Sequence, residues 1–110
     1  MENEALSEQE FEKLADLELR ALDRALGDLD GLEVDLSMGV LTLSFSDGVK
    51  YIVNSHRAAR QIWMAAERSA WHFDFARASS RWVASKNGDD LRRTLGAVIS
   101  RKLGAPVELG

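Results

Sequence analysis

The chain predicts an α+β fold, a two-layer α/β sandwich with two helices packed on one face of an antiparallel sheet of about six strands. Three observations carry this expectation. Apolar residues recur with a helical period near each end of the sequence and with a period of two in between. The period-two segments return about every ten residues with short polar connections, the spacing of a meander rather than of crossover units. A chain of 110 residues, 45% of them hydrophobic, is large enough for one core, and it has no repeat, low-complexity stretch or linker. Residues 1–110 are therefore expected to form a single domain.

The first helix begins at Ser7-Glu8-Gln9-Glu10, which reads as a capping box: the serine hydroxyl meets an early backbone N–H, and Glu10 reaches back. Phe11, Leu14, Ala15, Leu22, Ala25, Leu26 and Leu29 fall on one face, with Glu12, Asp16, Asp23 and Asp30 stacked along the opposite flank. Gly27 or Gly31 can end the helix. Glu18 breaks the pattern, projecting near the middle of the apolar stripe with no partner that the sequence identifies.

Beyond Gly31 the alternation of Leu32, Val34 and Leu36 with Glu33 and Asp35 describes a half-buried strand whose outward face is acidic. The segments 40–45 and 51–54 follow, joined through Asp47-Gly48, a pair that tolerates the left-handed conformation a hairpin needs. Residues 61–65, 71–75 and 81–84 complete the set of strands. Leu91, Leu95, Val98, Ile99 and Leu103 then restore the helical period. Asn87-Gly88-Asp89-Asp90 is expected to supply the cap and an acidic first turn, Arg101 and Lys102 suit the C-terminal dipole, and Gly104 and Pro106 stop the helix.

Two helices that share one core cover only one sheet face, so the other faces solvent. If Ile62 and Met64 are core, alternation places Gln61 and Trp63 on that open face. A tryptophan there reads either as an anchor for a docked protein or as a ring packed under a neighbouring side chain.

The formal charge of −4 hides an asymmetry. Residues 1–35 hold 12 acidic side chains (Glu2, Glu4, Glu8, Glu10, Glu12, Asp16, Glu18, Asp23, Asp28, Asp30, Glu33 and Asp35) against Lys13, Arg20 and Arg24, a net of −9, whereas the remainder carries +5. Such a field repels nucleic acid and attracts metal cations or a basic protein. Cysteine is absent, which excludes thiolate metal sites, disulfides and a cysteine nucleophile. No strained G-x-S-x-G turn, Gly-rich phosphate loop or E-x-x-H metal motif is present, so an enzyme, including a ferroxidase, is not expected. His56 and His72 lack a second histidine at ligand spacing and read as hydrogen-bonded structural residues, with His56 a candidate for a minor metal contact. Met1–Ala5 resembles neither a secretory signal nor a transit peptide, and no apolar run spans a bilayer, so a cytoplasmic protein without membrane contact is expected.

The acidic first helix, Gly39-Val-Leu-Thr-Leu, Asp47-Gly48, Tyr51-Ile-Val-Asn54, Gln61-Ile-Trp63-Met-Ala, Trp71-His-Phe-Asp and the closing amphipathic helix, taken in this order and at these gaps, resemble the frataxin family from roughly Glu10 to Leu109. The resemblance implies a role in iron–sulfur cluster assembly as an iron donor, an iron-dependent regulator, or both. Partners would be a cysteine desulfurase and its scaffold protein. It also implies weak, transient binding of Fe²⁺ and Fe³⁺ by surface carboxylates, which by position are Asp23, Asp28, Asp30, Glu33 and Asp35. The family's sheet-surface positions fall on Asn54, Gln61 and Trp63. Isolated carboxylates on a helix and a strand are hard ligands that do not close into a cage, which suits a protein that must pass iron on. A monomer is expected, with iron-dependent oligomers left open. The alternative is a small acidic adaptor that binds a basic protein without metal. The chain departs from the family pattern at Arg24, Gly27 and Leu32, where a carboxylate is often found, in the loop Asn54-Ser55-His56-Arg57-Ala58-Ala59, which lacks the usual proline and glutamine, and at Ser69-Ala70, which replaces a glycine pair.

Overall fold

A computed structural model describes residues 6–110; Glu2, Glu4 and the absence of a leader within Met1–Ala5 lie outside the described residues. The first helix, α1, runs Glu8–Leu26, and its capping box is formed as the sequence predicts, with Glu10 N–H donating to Ser7 Oγ (3.1 Å) and Ser7 N–H to Glu10 Oε1 (3.0 Å). Six strands follow: β1 (Leu32–Ser37), β2 (Val40–Phe45), β3 (Lys50–His56), β4 (Gln61–Ala66), β5 (Ser69–Ala76) and β6 (Arg81–Ala84). They form one antiparallel meander in the order β1-β2-β3-β4-β5-β6. The second helix, α2, spans Leu91–Leu103.

Both helices lie on the same sheet face. Phe11, Ala15, Leu19, Leu22 and Leu26 of α1 and Leu91, Leu95, Val98 and Ile99 of α2 are buried against Leu41, Leu43, Val53, Ile62, Met64, Phe73 and Trp82 of the sheet. The two helices run in the same direction, since Glu18 meets Arg92 at the start of α2 while a side chain at Gly31 would touch Leu103 at its end. Their C-termini, the negative ends of the helix dipoles, therefore share one end of the molecule.

Four expectations need correction. The buried stripe of α1 includes Leu19, while Ala25 is exposed and Leu14 and Leu29 are only half-buried. The helix stops at Leu26, so Asp30 is not part of its acidic flank but lies in the connection to β1; Gly27 accepts the helix end and Gly31, at φ +85°, makes the turn. The first turn of α2 contains no acid, because Asp90 is itself the N-cap, its carboxylate accepting from Arg93 N–H (3.0 Å). Glu18 is not unpartnered. Its side chain is only 11% exposed and both oxygens accept from Arg92, at 2.9 Å each, so the charge on the apolar stripe joins the two helices.

Candidate functional site

The open sheet face displays every second residue of each strand. Register aligns Ser37, Val40, Asn54, Trp63 and His72 in one row across five strands. Trp63 faces this side, as alternation predicts, with Ile62 and Met64 in the core. Its ring is half-buried, however, and lies between two histidines: His56 stacks on one face with centroids 3.7 Å apart and His72 on the other at 4.2 Å, each pair tilted by 15°. The packing of Trp63 against neighbouring side chains is thus the reading that the structure bears out. The tryptophan lies on the open face, and it is packed by neighbours that leave the edges of the ring pile, rather than the indole faces, toward solvent.

Trp63 Nε1–H donates to Gln61 Oε1 (2.8 Å), and Gln61 Nε2–H donates to Asp74 Oδ1 (3.1 Å). Gln61 therefore orients the indole. Asn54 sits opposite Trp63 in register, its Nδ2–H donating to Ser55 O at 3.2 Å. His56 Nδ1 accepts from Ala59 N–H (3.3 Å), closing the turn between β3 and β4. The sequence reading treats the histidines separately and omits Asp74. The missed signal is register, because His72 is directly opposite Trp63 only once β4 and β5 are paired.

The five candidate metal carboxylates lie elsewhere. Asp23 is half-buried in the last turn of α1, Asp28 and Asp30 are exposed in the α1–β1 connection, and Glu33 and Asp35 point outward from β1, an edge strand. They form a band at the end where both helices terminate, running onto the first edge of the sheet. Among the described residues no group of three or more such side chains converges as a metal cage.

Charge pairing separates this band from the acids earlier in α1. Every described acid before Asp23 has an arginine partner: Glu8 and Glu12 meet Arg57, Glu10 meets Arg77, Asp16 meets Arg20 and Glu18 meets Arg92. Arg77, together with the Ser7 N–H, holds the Glu10 carboxyl below its ordinary range, the backbone bond being the larger cause. Farther along, Asp47 pairs with Lys102, Glu67 with Arg101 and Asp90 with Arg81. Asp23, Asp28, Asp30, Glu33 and Asp35 have no ion-pair partner among the described residues. Asp74, Asp89 and Glu108 also lack an ion-pair partner among the described residues, but from α1 through β1 the unneutralised acids are the five that the resemblance selects.

Two helices on a six-strand meander, with an open face opposite, define the class: residues 4–105 match the model of the frataxin-like domain. The chain belongs to the frataxin family, and its relatives include bacterial proteins named CyaY. It is 37% identical over 109 residues to the iron-sulfur cluster assembly protein CyaY of Ralstonia nicotianae, covering 94% of this chain and 95% of that one. It is 35% identical over 106 residues to the CyaY of Ectopseudomonas mendocina, covering 94% and 96%. Among solved structures, the frataxin of Psychromonas ingrahamii superposes with a TM-score of 0.87 at 24% identity, covering 96% of this chain and 99% of that one, which speaks for the fold. A trimeric frataxin from the yeast Saccharomyces cerevisiae, complexed with ferrous iron, superposes with a TM-score of 0.66 at 25% identity, covering 93% and 90%. No helix among the described residues is long and apolar enough to cross a membrane.

Proposed function

We propose that this protein is a non-enzymatic, cytoplasmic accessory factor of iron–sulfur cluster assembly that carries iron loosely on its acidic band and docks on the cysteine desulfurase and its scaffold. The supporting observation is the unpaired charge of Asp23, Asp28, Asp30, Glu33 and Asp35, set against paired acids over the rest of α1. Their position beside two helix C-termini deepens the negative potential there. Hard, separated oxygen ligands take Fe²⁺ or Fe³⁺ with most of the hydration shell retained, and so release it readily. The names of the CyaY relatives and the ferrous complex of the yeast protein agree with this reading. Asn54 and the Trp63 stack, oriented by Gln61, form the second contact surface.

The lack of a three-ligand cluster among the described residues also favours the adaptor reading, in which the same band meets a basic protein surface without metal. Cluster assembly by the desulfurase and scaffold, followed by absorbance at several iron concentrations, tests the two. The iron-dependent reading expects this protein to change the assembly rate in a way that varies with iron, and the five-fold Asp→Asn and Glu→Gln variant to have no effect. An effect of the wild type that is the same at every iron concentration supports the adaptor, and no effect at all contradicts both. Trp63→Ala is expected to weaken partner binding at least tenfold, and an unchanged affinity would remove the sheet face from the interface.

A further inference from the structure

The far edge of the sheet is incomplete. β5 has eight residues, but β6 pairs only with Phe73–Ala76, leaving Ser69–His72 without a ladder partner on that side. After Ala84 the chain turns away: Gly88 N–H donates to Ala84 O (2.7 Å), Ala84 N–H donates to Asp89 O (2.8 Å), and Asp90 bridges to Val83 on the outer side of β6. Among the described residues, Ser69–His72 makes no backbone hydrogen bond other than those to β4. Unpaired strand edges accept another chain, and proteins usually blunt them with proline, bulges or like charge. Neither proline nor a bulge interrupts Ser69–His72, and Ser69 and Ala70 are small and exposed, so positive charge is the protection this edge carries.

Beside this notch lies a cleft of about 360 Å³ between β5 and α2, lined by Trp71, Asp89, Arg93, Thr94, Val98 and Arg101. Trp71 forms its apolar wall, half-buried against the core. Its charge is lopsided. Arg101 is neutralised by Glu67 and Asp90 by Arg81, but among the described residues Arg93, Arg68 immediately before the free edge, and Lys86 in the loop after β6 have no ion-pair partner, against one unpaired acid in the cleft lining, Asp89. The opposite edge, β1, differs: its outward residues Glu33 and Asp35 repel an acidic strand.

We propose that the notch receives an extended acidic segment of a partner protein, which adds as a short strand beside Ser69–His72, in line with β6. One apolar side chain enters the cleft against Trp71, and flanking carboxylates face Arg68 and Arg93. This is strand addition, in which main-chain hydrogen bonds supply affinity and alternate side chains supply selectivity. The site is independent of the acidic band and requires no metal.

The test uses metal-free protein and a capped hexapeptide of alternating glutamate and valine, observed by NMR. Expected are shifts at Ser69–His72, the Trp71 indole, Arg93 and Thr94, and amide exchange slowed at least tenfold at saturation for the N–H groups of Ser69–His72 that point away from β4. Arg68→Glu/Arg93→Glu, with its thermal unfolding unchanged to show that it folds, should bind at least tenfold more weakly. Peptides N-methylated at alternate residues, in either frame, separate strand addition from side-chain contact, and at least one frame must lose binding. The proposal is overturned if millimolar peptide causes no shifts, if shifts fall on Glu33–Ser37, if the lysine–valine peptide binds as well, or if both methylated frames bind like the parent.

Discussion

Replacing Glu18 by alanine is expected to destabilise the protein by about 2 kcal/mol. Two charge-assisted bonds of 2.9 Å join its carboxylate to Arg92, and its side chain is 11% exposed. Removing one partner of a fully buried pair costs about 3–5 kcal/mol, because the other is left charged and dry. Arg92 is 32% exposed, so solvent screens the orphaned guanidinium and the lower figure follows. Unfolding entropy of about 2.1 cal/mol/K per residue makes 2 kcal/mol in a chain of this size equivalent to a Tm drop of roughly 9 °C. Thermal and urea unfolding of Glu18→Ala, Arg92→Ala and the double variant provide the assay. A coupling energy of about 1.5 kcal/mol is expected from the cycle. Glu18→Met/Arg92→Met should recover most of the loss, since a well-packed apolar pair replaces a partly desolvated ionic one. Strictly additive single variants, or a cost below about 0.5 kcal/mol, the level of a surface pair, would refute the assignment of this pair as the link between the helices.

Three further outcomes are expected. Arg81 donates to both oxygens of Asp90 (2.6 and 2.7 Å) and, as the largest cause, holds that carboxyl below its ordinary value; the stabilisation is therefore fully present above the unfolded Asp pKa of about 3.9 and is lost at lower pH, as the pH falls through the depressed folded-state value. Arg81→Met should lower stability by about 1 kcal/mol at pH 7, with the gap to wild type narrowing in thermal unfolding as the pH falls below the unfolded Asp pKa of about 3.9, and a pH-independent gap would contradict this. The β4–β5 turn places Glu67 and Arg68 at φ +53° and +68°, so Arg68→Gly should raise stability by about 0.5–1 kcal/mol in urea unfolding. Gln61→Glu keeps an acceptor for the Trp63 indole but sets a second carboxylate against Asp74 in place of the Gln61 Nε2–H donor; indole N–H exchange by NMR should accelerate at pH 7, and unchanged exchange would contradict the role of Gln61 in orienting the ring.

The fold was legible because its strands alternate cleanly. The segments 40–45 and 81–84 are strands with the expected bounds, and the orientation of β4 follows from Ile62 and Met64 alone. Helix ends were read less well where an acid lies just outside a helix: Asp30 and Asp90 are a connection and a cap, and a helical period cannot distinguish these from first or last turns. Glu18 looked anomalous because its partner lies 74 residues away and only packing brings α2 to it. The flanking of Trp63 by His56 and His72 was hidden for the same reason, since it depends on the register of three strands. The acids of the band could be named from the sequence, but the property that sets them apart from the earlier acids of α1, the absence of arginine partners among the described residues, exists only in the folded chain.

The most direct measurement is an anaerobic Fe²⁺ titration followed by the backbone amide resonances. Unpaired carboxylates should bind first, so broadening is expected near Asp23, Asp28, Asp30, Glu33 and Asp35, with the paired acids Glu10, Asp16 and Glu18 unaffected at the same iron concentration. An undisturbed spectrum at millimolar Fe²⁺, or broadening that begins at the paired acids, would contradict iron binding by this band.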